Sequence, residues 1–190
     1  MAAANRRRPR PPLDGGSLAT LALRYVERFA TTRARLASYL RRKVRERGWA
    51  EGPEPAIEAI VERFAASGYV DDAAFAMARS RSLSARGYGE GRLRQTLRAA
   101  GVQDGDAAPA RHHAEGEAVE AALRFARRRR IGPFAAERPD VRGREKALAA
   151  MIRAGHRFGL ARAIVDLAPG EGVDTGLLLE KGVRNGAESV

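Results

Sequence analysis

Three segments of the chain repeat one pattern, in which two apolar residues and a glycine each stand four positions apart. The pattern alone indicates only a helix that ends at a glycine, where the backbone turns left-handed. The three glycines, however, lie 53 and 54 residues apart. Even spacing of that length is typical of a tandem repeat. The segments are Leu40-Val44-Gly48, Leu93-Leu97-Gly101 and Ala147-Met151-Gly155.

The residues between these glycines carry helical patterns, about three helices to each repeat. Ile57 stands nine residues after Gly48, and Ile164 stands nine residues after Gly155. The middle repeat has Ala110 at this place, next to Pro109, so its third helix is expected to be short or distorted. We predict an all-α fold, a tandem array of three-helix repeats. Such repeats contact mainly their neighbours, so the body should be elongated and curved.

The same patterns divide the chain into five segments. Residues 1–16 hold four arginines, three prolines and the Gly15-Gly16 pair, a composition that predicts a disordered basic arm. Ser17 is the predicted cap of the first helix. The other segments are repeat 1 (residues 17–70), repeat 2 (71–115, with the short or irregular third helix), repeat 3 (116–168) and a flexible tail (169–190).

Net charge indicates an anionic partner. The chain holds 35 Lys and Arg against 23 Asp and Glu, a net charge of +12, and most of the excess lies between the two ends. Basic proteins of this kind often bind nucleic acid or work beside it. The chain has no cysteine, no apolar run long enough to cross a bilayer and no secretory signal. We expect a cytoplasmic protein that is monomeric and does not contact a membrane.

The segment from Gly68 to Gly101 begins with a helix start. With Asp71 as the N-cap, Val70 and Phe75 have the spacing of a hydrophobic staple, and Asp72 favours the positive end of the helix. A catalytic or metal-binding pair of aspartates is the alternative. Adjacent residues at a helix start point in different directions, however, and no further carboxylate or histidine stands at ligand spacing. Asp71, Asp72 and Phe75 are therefore assigned structural roles.

Arginine pairs recur at one offset in the first two repeats. They are Arg41 and Arg45 in repeat 1, and Arg94 and Arg98 in repeat 2. Residues four apart share a helix face, so each repeat should present a basic face. A solvated helix surface is the alternative interpretation. Repeat 3 has Leu148 and Ile152 at these positions, which predicts burial or an apolar contact.

The central segment resembles the RecX family of bacterial recombinase regulators. The residues that carry the resemblance are Gly68-Tyr69-Val70-Asp71-Asp72, Phe75-Ala76, Arg79, Arg81, Gly87-Tyr88-Gly89, Arg92, Gln95, Leu97 and Gly101-Val102. The likeness extends to residues 21–68, 127–134 and 146–167. It implies a helical repeat protein that binds the RecA recombinase as a filament on single-stranded DNA. It also implies inhibition of filament growth, ATPase, strand exchange and coprotease activity, with no cofactor.

Together, the charge pattern and the resemblance place the contact surface on repeat 2. Gly87, Gly89 and Gly101 are assigned structural roles, because glycine permits positive φ and close backbone approach. Tyr88 is an aromatic anchor, or alternatively a turn residue that covers its own hairpin. The predicted basic contacts are Arg79, Arg81, Arg86, Arg92, Arg94 and Arg98, with Arg41 and Arg45 in repeat 1.

A DNA-binding protein that acts independently of RecA is the alternative function. Arg127, Arg128, Arg129 and Arg130 form a basic run that could neutralise phosphates, as could Arg6, Arg7 and Arg8. No signature of a base-reading element accompanies them. An enzyme is not expected: the turn sequence GYGEG lacks the lysine of a phosphate-binding loop, and the adjacent His112 and His113 lack metal-ligand spacing on a helix.

Overall fold

The computed structural model describes residues 11–184, which form ten α-helices and one 3₁₀ turn. The one extended pairing in this range is an isolated parallel bridge between Leu13 and Trp49. The all-α prediction is confirmed. The chain divides into two compact units, one ending at Asp72 and the next beginning at Ala73. None of the described helices is both long enough and apolar enough to span a bilayer.

The N-terminal unit is built from three helices around one apolar core. They are α1 (Gly15–Arg28), α2 (Arg33–Arg47) and α3 (Ile57–Ala66). Each helix contributes aliphatic or aromatic residues at helical spacing, and burial of each large side chain contributes about 1.5–3 kcal/mol. The core residues include Leu18, Leu36, Leu40, Ile57, Val61 and Phe64.

The segment just before α1 is ordered, which corrects the prediction of a disordered arm up to residue 16. Leu13 is fully buried; its N–H donates to the Gly48 carbonyl at 2.9 Å and its carbonyl accepts from the Ala50 N–H at 2.8 Å. The segment is mostly proline and arginine, so its average composition predicts disorder. That average gives no weight to the single leucine, Leu13, that packs in the core. Residues 1–10, with Arg6, Arg7 and Arg8, lie outside the described residues.

Asp14, and not Ser17, is the N-cap of α1. Its carboxylate accepts the Ser17 N–H at 2.7 Å, and the Ser17 hydroxyl accepts the Asp14 N–H at 3.0 Å. This reciprocal arrangement satisfies two backbone donors that the helix leaves free. The Ser17 backbone hydrogen bond lowers the pKa of Asp14. Ser17 takes part in the cap from the third helical position.

Asp72 has a structural contact that its sequence position does not reveal. Its side chain is buried, with 3% of the residue exposed, and Oδ1 accepts the backbone N–H of Arg33 at 2.9 Å. Arg33 is the first residue of α2, whose N–H groups lack partners within the helix. The Asp72 carboxylate therefore stabilises the positive end of α2 as well as the start of its own helix.

The C-terminal unit contains two apolar cores. Helices α4 to α6 surround one, which includes Phe75, Leu93 and Leu97. Helices α7 to α10 surround the other, which includes Phe125, Met151 and Ile164. The elements are α4 (Asp72–Ala85), α5 (Glu90–Ala99), α6 (Asp104–Gly116), α7 (Ala118–Arg129), a 3₁₀ turn (Gly132–Phe134), α8 (Val141–Arg153), α9 (Phe158–Asp166) and α10 (Thr175–Arg184).

Helix α6 corrects the prediction of a short or irregular third helix in repeat 2. It runs for 13 residues with Pro109 inside it. Proline removes one backbone hydrogen bond from a helix interior. Three alanines on one face of α6, Ala107, Ala110 and Ala114, are buried in the core that α6 shares with α5. Packing of this face offsets the missing bond.

Helix α10 corrects the prediction of a flexible tail after residue 168. The Asp174 carboxylate accepts the Leu177 N–H at 3.0 Å at its start. Leu178 is 3% exposed and belongs to the α7–α10 core, whereas the adjacent Leu177 and Leu179 are 47% and 49% exposed. Three consecutive leucines show no helical period, so the pattern did not indicate a packed helix. Residues 185–190 lie outside the described residues.

Two turns of the C-terminal unit meet backbone to backbone. One is the Gly87-Tyr88-Gly89 turn before α5, and the other connects α8 to α9 through Gly155 and His156. The Gly89 N–H donates to the Ala154 carbonyl at 2.9 Å, and the Gly91 N–H donates to the Gly155 carbonyl at 3.0 Å. We call this contact the glycine junction.

Side chains cannot be accommodated at the glycine junction. A β-carbon on Gly89 would lie 2.3 Å from the Gly155 carbonyl oxygen, and one on Gly155 would lie 2.2 Å from the Arg92 nitrogen. Gly87 has φ of 75°, and a β-carbon there would lie 2.9 Å from the Phe125 nitrogen of α7. These separations are shorter than van der Waals contact with backbone atoms, which cannot move aside as a flexible side chain can.

The buried side chain of His156 adds a hydrogen bond at the glycine junction. It is 6% exposed, and its Nε2 lies 3.2 Å from the Gly87 carbonyl. Because a carbonyl only accepts, Nε2 is assigned the proton. Burial lowers the pKa of His156 to about 4, although the hydrogen bond to Gly87 opposes this shift. The imidazole is therefore neutral at pH 7.

Replacing Gly89 with alanine should destabilise the C-terminal unit by about 3 kcal/mol, because overpacking against fixed backbone typically costs 1–3 kcal/mol or more. The φ of Gly89 is −83°, so alanine adds a clash without conformational strain. Gly105→Ala in α6 is the matched control, since nothing lies within 4 Å of its β-carbon position. That change should leave stability unchanged or raise it by up to about 1 kcal/mol. Urea unfolding of both variants checks this; equal stabilities would contradict the steric constraint.

Stability should fall as the pH drops from 6.5 towards 4. Below pH 6.5 the unfolded chain protonates His156, while the folded chain resists protonation until about pH 4. This difference corresponds to a loss of about 3 kcal/mol. His156→Gln keeps a donor for Gly87 and does not titrate. Denaturant unfolding at pH 7, 6, 5 and 4 should show the wild type losing that much more stability than the variant; parallel pH profiles would contradict the assignment.

Candidate partner-binding surface

Helix α5 carries both arginines of the repeat 2 pair, Arg94 and Arg98, and the first of the pair is neutralised. Arg94 forms a two-pronged ion pair with Glu90, with Nε to Oε1 at 3.1 Å and Nη2 to Oε2 at 2.5 Å. The Glu90 side chain is buried. Its hydrogen bond and its charge raise the pKa of the Arg94 guanidinium above the ordinary value. The positive charge of Arg94 is therefore compensated within α5.

The second arginine of this pair, Arg98, is not neutralised in this way. Arg98 is exposed, and it forms no ion pair with any side chain described between residues 11 and 184. With Arg94 and Arg111 it lines a groove of about 280 Å³ between α5 and α6. Arg111 is itself paired, with Nη1 2.8 Å from Asp104 Oδ1. Arg98 is therefore the arginine of this groove that is most available to an anion.

The N-terminal unit repeats this arrangement on α2. Arg41 forms an ion pair with Glu58 of α3. Arg45, one turn later, is exposed and has no ion pair within the described part of the chain. In both units the first arginine of the predicted pair is compensated and the second is not. We call Arg45 and Arg98 the open arginines.

Helix α8 lacks arginine at the corresponding positions. Leu148 is partly buried against the α7–α10 core, whereas Ile152 is 44% exposed. Repeat 3 therefore presents part of this face to solvent as apolar surface.

The remaining predicted residues around the α4–α5 turn lie against aromatic rings or stand in solvent. Tyr88 is partly buried and packs against the α7–α10 core, so it is not a free aromatic anchor. The Arg86 guanidinium lies 5.3 Å from the Tyr88 ring centre, and that of Arg79 lies 5.0 Å from the Phe75 ring centre. Arg81 is exposed. Arg92 is also exposed, and its Nη1 donates to the Gln95 side chain at 2.9 Å.

The arginine run at the end of α7 is largely engaged by its own unit. Arg127 lies 4.8 Å from the centre of the Phe134 ring, while Arg128 and Arg129 lie 5.5 Å and 5.7 Å from that of Phe125. Arg130 ends the helix with φ of 54°, the left-handed conformation. Such stacking retains the positive charge but holds the guanidinium groups against the protein.

Sequence reasoning did not identify two contacts that the α4–α7 packing creates. Arg128 donates to the Arg86 carbonyl at 2.6 Å, and Arg124 donates to the Ser84 carbonyl at 3.2 Å. Both carbonyls lie at the end of α4, where cationic donors are favourable. The Glu90–Arg94 pair was also missed, although its i,i+4 spacing could have indicated it. Nothing in the local sequence indicates the contacts of Arg124 and Arg128.

The structural residues predicted from the sequence lie in backbone or core positions. Asp71 directly precedes the first residue of α4, Phe75 is buried, and Gly101 follows α5 with φ of 70°. Within residues 11–184, no group of three or more His, Asp or Glu side chains could hold a metal ion.

Comparison with known proteins identifies the family. The model of the RecX second three-helix domain matches residues 71–110. The regulatory protein RecX of Myxococcus xanthus (strain DK1622) is 34% identical over 163 residues, which cover 80% of this chain and 86% of that protein. The regulatory protein RecX of Thermobifida fusca (strain YX) is 34% identical over 156 residues, covering 81% and 80% of the two chains.

Solved structures show the same fold. A crystal structure of regulatory protein RecX matches with a TM-score of 0.58 at 20% identity, over 80% of this chain and 70% of that one. The crystal structure of RecX from Lactobacillus salivarius matches with a TM-score of 0.57 at 17% identity, over 79% and 93%. The two relatives at 34% identity, matched over most of their length, show that the chain belongs to the RecX family of regulatory proteins.

Proposed function

We propose that this protein binds the RecA recombinase assembled on single-stranded DNA and limits growth of the filament. ATPase, strand exchange and coprotease activities of RecA fall as a consequence. The protein acts by occupying space and by electrostatic attraction, and it breaks no bond. Membership of a family of regulatory proteins supports the proposal, as does the net charge of +12.

The observation that carries the proposal is the placement of the open arginines. Arg45 and Arg98 occupy corresponding positions on α2 and α5, one turn after an arginine that a glutamate neutralises. A guanidinium that forms no ion pair keeps its planar donors available to a carboxylate or phosphate of a partner. A RecA filament on DNA presents both kinds of group. Two helices that each present one such arginine are suited to contact a filament at two points.

Substitution of both open arginines should weaken binding to RecA-coated single-stranded DNA. We expect the double variant Arg45→Gln/Arg98→Gln to bind at least about tenfold more weakly, equivalent to about 1.4 kcal/mol. If both residues contact phosphate, the slope of log affinity against log salt should become shallower by about two. Binding is measured by surface plasmon resonance on immobilised filaments at several salt concentrations. Circular dichroism establishes that the variant remains helical.

The double variant Arg42→Gln/Arg162→Gln is the matched control. It removes the same charge from one helix of each unit, but Arg42 and Arg162 lie 3.6 Å from Glu46 and Asp166 on their own helices. We expect its affinity to stay within about twofold of the wild type, because exposed pairs of this kind are worth little. Equal losses in both double variants would refute the role of the open arginines. Equal wild-type affinity for bare and RecA-coated DNA would favour a DNA-binding protein that acts independently of RecA.

A further inference from the structure

Helix α8 exposes a line of aliphatic side chains. Val141 is 66% exposed, Ile152 is 44% exposed, and Leu148 between them is partly buried. With 3.6 residues per turn, positions 141, 148 and 152 fall on one narrow line about 16 Å long. We call these three residues the α8 stripe. Aliphatic side chains aligned on one helix give a partner an apolar line to cover.

Apart from Leu148, which also touches the core, the stripe is separate from the core-facing side of α8. That side carries Met151, which is fully buried, and Ala147, which packs against the same core. The N-terminus of the helix is held by Asp140, whose carboxylate accepts the Gly143 N–H at 2.7 Å. The α8 stripe is therefore a second apolar face on a helix that is already anchored to its core.

The face of α8 next to the stripe is basic. Arg142, Lys146 and Arg153 are exposed and share one line of the helix, at spacings of four and seven residues and about 120° around the helix from the stripe. None of them forms an ion pair with another side chain in the range 11–184. Glu145 is the one acidic residue of α8 and lies at the edge of the stripe. An occupant with carboxylates beside an apolar patch would complement this surface in both polarity and charge.

The chemistry of the stripe distinguishes it from the open arginines. Aliphatic side chains gain free energy by leaving water for an apolar surface, which the phosphates of nucleic acid do not provide. A second copy of the chain would bring two basic surfaces together, and the net charge of +12 opposes that. A protein surface with an apolar centre and an acidic rim satisfies both requirements.

We propose that the α8 stripe docks on an apolar, acid-rimmed patch of the RecA protein itself, while the open arginines contact the acidic or phosphate groups of the filament. This inference rests on the proposed function and adds a second kind of contact to it. The α8 contact is apolar at its centre and only weakly dependent on salt. The contact made by the open arginines is electrostatic and strongly dependent on salt.

Val141→Glu tests the stripe with little risk to the fold. Val141 is the first residue of α8 and is mostly exposed, and an acidic residue is favourable at a helix N-terminus. We expect at least about tenfold weaker binding to RecA filaments. Leu177→Glu is the matched control, since Leu177 is 47% exposed in the first turn of a different helix, α10. It should bind within about twofold of the wild type.

Two further variants probe the apolar centre and the charge of the rim. Ile152→Ser removes the other exposed end of the stripe without adding charge and should also weaken binding, by about threefold to tenfold. Glu145→Gln removes the one carboxylate beside the stripe and should tighten binding by about twofold to threefold, because the partner rim is acidic. Thermal unfolding of each variant separates loss of binding from loss of fold.

The outcomes separate this inference from the proposed function. If the wild type binds filaments but Val141→Glu and Ile152→Ser bind as the wild type does, the stripe assignment is overturned and the proposed function stands. If the wild type does not bind RecA filaments, both are overturned. Weaker binding by Glu145→Gln would refute the acidic rim. Binding of the wild type to phosphatidylserine vesicles that Val141→Glu abolishes, without loss of filament binding, would assign the stripe to a membrane instead.

Discussion

The C-terminal unit depends on the backbone contact at the glycine junction. The turn before α5 and the turn before α9 lie so close that a single added carbon at Gly89 or Gly155 would overlap backbone atoms. Two backbone hydrogen bonds, at 2.9 Å and 3.0 Å, join the turns, and the neutral ring of His156 bonds to the Gly87 carbonyl. Because both turns lead directly into helices, the junction fixes the starting points of α5 and α9.

Because the junction fixes the start of α5, it also determines which side chains of that helix are buried and which are exposed. Glu90 is its first residue and is buried beside the junction, which positions its carboxylate for Arg94 four residues later. Arg98 then stands one turn beyond, exposed and without a carboxylate partner among the described residues. The same alternation appears on α2, where Glu58 of α3 takes the role of Glu90. Two different local structures therefore leave the second arginine open.

Arginine content alone is a poor measure of binding surface in this protein. The run from Arg127 to Arg130 is the densest cluster of charge in the sequence, yet three of its members lie over Phe125 or Phe134. Arg128 also bonds to a carbonyl at the end of α4. A guanidinium can stack on a ring, cap a helix or face solvent, and the surrounding tertiary structure determines which of these it does.

Periodic features of the chain could be predicted from the sequence, and features that depend on single tertiary contacts could not. The even spacing of Gly48, Gly101 and Gly155 indicated helical repeats, and the capping pattern at Asp71 indicated where α4 begins, because both follow from local backbone geometry. The segment before α1 and helix α10 are each held to a core by one buried leucine, Leu13 and Leu178. The average composition of a segment does not reveal a single residue of this kind. Helix α6 persists through Pro109 because its alanine face packs on α5. Glu58, which neutralises Arg41, comes from another helix, and the carbonyl that accepts from Arg128 lies just after α4.

The most direct measurement is the rate of ATP hydrolysis by RecA on single-stranded DNA as the wild-type protein is titrated into the reaction. If the protein limits filament growth as proposed, the rate should fall steeply and reach its minimum near stoichiometric amounts. An unchanged rate, in a reaction whose DNA is not itself sequestered by the protein, would contradict the proposed regulation of RecA.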